Sequence, residues 1–151
     1  MQVTDLLARS QIEKAYEIAV RWHEAEPQNP QAAYWAGNMA GQMAMRSGMF
    51  KAMGLAKESR QGLQQAVALD PGYVEAQYAL MQFHLMAPGM MGGDKDEAVA
   101  IAGRIASLSP VEGLRANAQL RASEKDTEGY LRGNREALNL APAHRDALGV
   151  V

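Results

Sequence analysis

The sequence predicts an all-α chain, folded as a stack of antiparallel helix pairs. The first reason is composition: there are 27 alanines against 14 Val, Ile and Thr together. Alanine loses no side-chain entropy in a helix, whereas β-branched residues do, so helix is favoured over sheet. The second is punctuation. Similar phrases end in proline: AVRWHEAEP at Pro27, QQAVALDP at Pro71, RIASLSP at Pro110 and EALNLAP at Pro142. Proline cannot continue a helix and pushes the preceding residue out of the α region. The third is spacing. The phrases recur after 44, 39 and 32 residues, near the period of helix-pair repeats.

The 151 residues fit one compact domain or one short repeat array. A hydrophobic content of 48% is enough for a real core. Cysteine is absent, which excludes disulfides, zinc–thiolate centres and thiol nucleophiles. A net charge of −2 gives no general reason to bind nucleic acid or an anionic membrane. No segment has the run of apolar residues needed for membrane insertion. MQVTDLLARS does not read as a signal peptide. The compartment stays open: cytoplasmic, or periplasmic if a signal was removed.

Residues 3–8 read as the tail of a preceding helix. The first full helix is expected from Ser10 to Ala25, with Ile12, Ala15, Ala19 and Trp22 along one face. The second runs from Gln31 to Arg46, opening after Asn29-Pro30 and closing at Ser47-Gly48. The third covers Phe50–Leu69, with Leu55, Ser59, Leu63, Ala66 and Val67 on a stripe. The fourth covers Val74–Met86. The fifth covers Lys95–Leu108, with Asp94 as its N-cap and Glu97 three residues on, like a capping box. Between these two, Pro88-Gly89 and Gly92-Gly93 break the chain around Met90-Met91. A sixth helix over 111–122, a seventh over 127–140 and a short capping segment over 143–148 complete the reading. Small residues such as Ala36, Gly37, Ala40, Ala66, Ala76, Ala79 and Ala102 let helices approach. Trp22, Trp35, Phe50, Tyr73, Leu80 and Phe83 are expected to fill the spaces between them.

These phrases resemble a known family. QQAVALDPGYVEAQYAL is similar to the junction between two tetratricopeptide repeats, where one repeat's second helix ends in an AxxLDP phrase and the next repeat's first helix begins. EAEPQNPQAAYWAG repeats that junction, with Gly37 at the family's small position, and SQIEKAYEIAVRWHEAEP resembles a complete second helix preceded by its turn. Phe50 and Ala66 match the family's aromatic and its late second-helix alanine. His84 and Met43 stand where the family more often has aromatics. The likeness covers most of residues 8–142, weakly around 119–123. The chain resembles a divergent, bacterial-type member with lengthened repeats and a PGMMGGDKDEA insert.

The resemblance implies a short right-handed superhelix, a single domain of repeats at about 1–29 (partial), 30–71, 72–110 and 111–142, with a cap at 143–151. It also implies a non-enzymatic scaffold that binds a protein or peptide in a concave groove lined by the first helix of each pair. Carried over by position, the groove residues are Gln31, Tyr34, Asn38 and Gln42, then Glu75, Tyr78 and Gln82, with Met86 as a further candidate at the helix end, then Asn117 and Arg121. Tyr and amide side chains suit peptide recognition, although each is also an ordinary solvated-face residue. A clamp for a C-terminal carboxylate does not fit, because Tyr34 replaces the family's first lysine and Glu75 would repel the ligand.

Ten methionines are many for this length, and five fall at 39, 43, 45, 49 and 53. Three readings apply: gap-filling in the core, an adaptable apolar interface, or a soft-metal site for Cu(I). Homodimerisation through exposed stack ends is the first alternative function, ahead of the soft-metal site. No cofactor is implied. His23, His84 and His144 show no metal-binding spacing; His84 is expected inside the fourth helix, and the other two on the surface. Asp94, Asp96 and Glu97 lack the calcium-loop pattern, so capping accounts for them. No nucleophile–base or acid pair is visible, so the chain is expected not to be an enzyme.

Overall fold

The computed structural model describes residues 3–124 and Arg135. The helix expected over 127–140, the cap over 143–148 and His144 therefore lie outside the described residues. Six α-helices follow one another: α1 (Val3–Ala25), α2 (Pro30–Met45), α3 (Met49–Leu69), α4 (Val74–Met86), α5 (Lys95–Leu108) and α6 (Pro110–Ser123). A 3₁₀ turn, Gly89–Met91, lies between α4 and α5. No strand occurs among the described residues. The class is all-α, as composition predicted.

The helix boundaries follow from local chemistry. Asn29 caps α2 by accepting the Gln31 backbone N–H, with Pro30 at the first helical position. Asp94 caps α5 by accepting the N–H groups of Asp96 and Glu97, the forward half of the expected box. Ser109 both ends α5 and caps α6, where its hydroxyl accepts the Glu112 N–H. Short links of this kind force successive helices back on each other.

One expectation fails at the N-terminus. Residues 3–8 are not the end of a separate helix, and no turn precedes Ser10. α1 is continuous from Val3, because nothing between Val3 and Ile12 breaks it: Ser10 is polar but neither Gly nor Pro.

Each helix packs on its chain neighbours, and α4 also touches α2 and α6. α2, α4 and α6, the helices expected to open each pair, thus form one row. The crossing of α2 and α3 is set by two glycines. A Cβ on Gly37 would lie 2.8 Å from the Leu63 backbone nitrogen, and one on Gly62 would lie 2.8 Å from the Gly37 Cα. Only hydrogen side chains permit that approach. Gly113 meets Ala106 in the same way where α6 crosses α5.

The main core joins α3 to α6: Leu63, Leu80, Met81, Ile101, Ile105 and Ala116 are all buried. Burying each large apolar side chain stabilises the fold by roughly 1.5–3 kcal/mol. Two smaller clusters sit further toward the N-terminus, one around Ala33, Ala66 and Ala76, the other around Ala40, Met43 and Leu55. The expected filling role fails for Phe50, which is 91% exposed, and in part for Trp35, which is 44% exposed. Phe50 is the second residue of α3, before the crossing with α2 begins, so no helix lies over it.

Candidate functional site

The expected groove residues fall into two groups along the row of first helices. At the N-terminal ends of α2 and α4, the side chains contact one another. The Tyr34 ring lies 5.3 Å from both Trp35 and Tyr73, and its hydroxyl oxygen accepts a 3.3 Å hydrogen bond from Asn38 Nδ2. Burial raises the Tyr34 pKa, and the Glu75 carboxylate adds to the rise. Tyr73 is raised by burial first, then by Tyr34, Glu75 and Asp70. Tyr78 is half-buried with the Arg115 guanidinium 5.3 Å above its ring, a cation–π contact. Asn117 Nδ2 donates to Gly113 O at 3.0 Å. Gln31, Glu75 and Arg121 are exposed.

At the C-terminal ends of α2 and α4 the helices leave an open cleft of about 570 Å³, within the range of ligand pockets. Its two walls have the same spacing. α2 contributes Asn38, Gly41, Gln42 and Met45, with Ala44 beside them; α4 contributes Ala79, Gln82, Phe83 and Met86. Each set runs i, i+3, i+4, i+7, two helical turns on one face. The floor comes from α3: the small Ala52, Ala56 and Ser59, and Leu63. Met91 closes one side. Among the lining residues Arg46 is the single formal charge, and its Nη1 is tied to Gln42 O at 3.1 Å. Of the expected groove residues, the cleft gathers Asn38, Gln42, Gln82 and Met86. It does not gather Gln31, Tyr34, Glu75, Tyr78, Asn117 or Arg121.

The turn before α5 positions Met91. Gly92 has φ of 99°, a left-handed conformation suited to glycine. The N–H groups of Met91 and Gly93 both donate to Pro88 O, and Gly93 packs so tightly on Ala87 that no Cβ fits there. Arg60 of α3 lies against Gly92 from below. This closed turn exposes Met90 (71%) and turns Met91 partly inward.

The methionine run does not form one group. Met39 and Met43 are buried, whereas Met45, Met49 and Met53 are exposed. Met43 and Met45 stand about 200° apart around α2, and the break over 46–48 resets the phase before α3. The two i, i+4 series of the run, Met39/Met43 and Met45/Met49/Met53, thus divide between core and surface. Among the described residues no group of three or more His, Asp or Glu is arranged to hold a metal ion.

His84 is buried within α4, as expected, with its ring edge-on to Phe83 at 5.4 Å. Burial lowers its pKa, opposed by Glu97, Asp94 and the Gly92 backbone, while Arg60 reinforces the lowering. His23 departs from its expected surface position: it is half-buried and shares a 3.1 Å hydrogen bond with Gln65 Oε1 of α3. Sequence reasoning missed Ala79, Phe83 and Met45 as cleft residues. The repeated i, i+3, i+4, i+7 spacing on the two first helices was the available signal.

No protein-family description matches the chain, and no curated protein matches it. Among solved structures, one described as "Crystal structure of MamA" aligns over 92% of this chain and 94% of that chain, at 15% identity and a TM-score of 0.39. Similarity at that level decides neither family nor function. No helix among the described residues is long and apolar enough to cross a membrane.

Proposed function

We propose that the protein is a non-enzymatic interaction module of the tetratricopeptide type, which binds an apolar segment of a partner protein in the cleft between α2 and α4. The observation that carries this reading is the cleft itself: about 570 Å³, open, walled by two matching helical stripes and rimmed by Met45, Met86 and Met91. Thioether side chains are flexible and polarisable, so they adapt to differently shaped apolar partners. The amides of Gln42 and Gln82 supply hydrogen bonds to a bound backbone. The scaffold is preformed, so it loses little ordering entropy on binding. The division into repeats at 30–71 and 72–110 belongs to the same proposal.

A displayed random-peptide library tests it. Selected peptides are expected to share apolar anchor residues and to lose at least about tenfold in affinity for the Met45→Glu/Met86→Glu double variant. Failure to select any peptide, or equal affinity for the variant, would reject the cleft as the binding site.

Self-association is a second reading, favoured by the exposure of Phe50 (91%) beside Met49 (67%). Light scattering over a range of concentrations separates the two readings. A dimer dissociated by Phe50→Ser would support self-association, and a monomer at all concentrations would reject it.

A further inference from the structure

A second pocket of about 390 Å³ opens on another part of the molecule, between α3, α4 and α5. It shares no lining residue with the methionine cleft. Its two long walls run in opposite directions. Gln77 of α4 faces Arg104 of α5, whose Nε donates to Gln77 Oε1 at 3.4 Å. Seven residues further along α4, His84 stands toward Glu97, seven residues earlier on α5. Seven helical residues span about 10 Å. Leu80 and Val67 line the trough between the two ends.

The ends differ in chemistry. At one end Gln77 is 2% exposed and fully engaged: Nε2 donates to Pro71 O, and Oε1 accepts from Arg104. This hydrogen bond holds the Arg104 Nε against Gln77, while Arg104 as a whole is exposed. At the other end Glu97 brings an exposed carboxylate. Beside it His84 lines the wall at 5% exposure, and its Nδ1 is buried with no hydrogen-bond partner.

We propose that this pocket binds a short peptide with free ends, about three residues long, its C-terminal carboxylate on Arg104 and its N-terminal ammonium on Glu97 beside His84. The length follows from the span. An extended chain covers about 3.3–3.6 Å per residue, so three residues reach across about 10 Å. The opposite charges at the two ends orient the peptide, and the apolar trough receives its side chains. This inference goes beyond the partner-binding reading and does not depend on it.

Tri-alanine, titrated into the full chain and followed by the His84 imidazole resonances, tests the assignment. A saturable shift is expected from tri-alanine and none from its N-acetylated, C-amidated form. R104Q and E97Q should each weaken binding roughly tenfold, the value of one charge-assisted contact. Both positions are exposed, so the variants should keep the wild-type circular dichroism spectrum. The Met45→Glu/Met86→Glu variant should bind tri-alanine unchanged, which separates this site from the cleft. No saturable shift, or an equal response to the blocked peptide, would overturn the proposal.

Discussion

At the N-terminal ends of α2 and α4, polar and aromatic side chains are engaged with one another; at the C-terminal ends of the same helices Met45 and Met86 stand exposed over the cleft. Tyr34 has Trp35, Tyr73 and Asn38, and Tyr78 has Arg115. Met45 and Met86 are 70% and 68% exposed, over a floor mostly of small residues. The difference teaches that residues of a recognition-friendly type do not by themselves make a recognition surface. A tyrosine already packed against a second ring must give up that contact to bind a partner. An exposed methionine beside a cavity gives up little.

The most disruptive test removes the scaffold shared by both ends. Gly37→Val would drive a branched side chain into the Leu63 and Ser59 backbones. It is expected to cost about 3 kcal/mol or more, measured by urea unfolding, and to abolish peptide binding. Next, Tyr34→Ala should destabilise by about 2 kcal/mol, because a half-buried ring and its two aromatic contacts are lost. It should nevertheless leave affinity for cleft-selected peptides intact. Met45→Glu/Met86→Glu should do the reverse: a stability change within about 0.5 kcal/mol, since both sites are exposed, with binding lost. If Tyr34→Ala abolishes binding while the methionine variant does not, the roles assigned to the two ends are inverted.

Two smaller effects depend on pH. The pKa of His84 is lowered, first by burial, so the unfolded chain takes up a proton near pH 6.5 before the folded chain does. Stability from this site is present above that pH and lost as pH falls through the lower folded value. Unfolding midpoints at pH 7.5 and 5.5 should differ less in His84→Gln than in wild type. The Tyr16 hydroxyl donates to Glu58 Oε2 at 2.6 Å, and its pKa is raised to about 12 by burial and by Glu58. Here the sign is opposite. The contribution is complete below pH 10 and lost as pH rises toward 12. Tyr16→Phe should flatten the stability profile across that window.

Much of the architecture was legible because punctuation is local. α4 and α5 begin and end at the residues the sequence predicts, since Pro71-Gly72, Pro88-Gly89 and Asp94 act on their own backbone. Gly37 was legible as a contact point because a small residue on a helix face needs a neighbour to explain it. The cleft was not legible as a cavity. Its walls come from two helices about forty residues apart, and its emptiness depends on how far α2 and α4 splay, which no single segment encodes. The two methionine series were legible from their i, i+4 spacing, but which of them faces the core depends on where α3 packs against α2. Phe50 was misjudged because it matches the aromatic position of the family the sequence resembles, while its place in the first turn of α3 leaves it 91% exposed.

Methyl NMR of the ten methionines tests the central claim most directly, because they report separately on core and cleft. On adding a library-selected peptide, the Met45, Met86 and Met91 methyl resonances are expected to shift saturably, while buried Met39, Met43 and Met81 stay in place. Saturable binding that leaves those three cleft methyls unmoved would contradict the assignment of the cleft as the binding site.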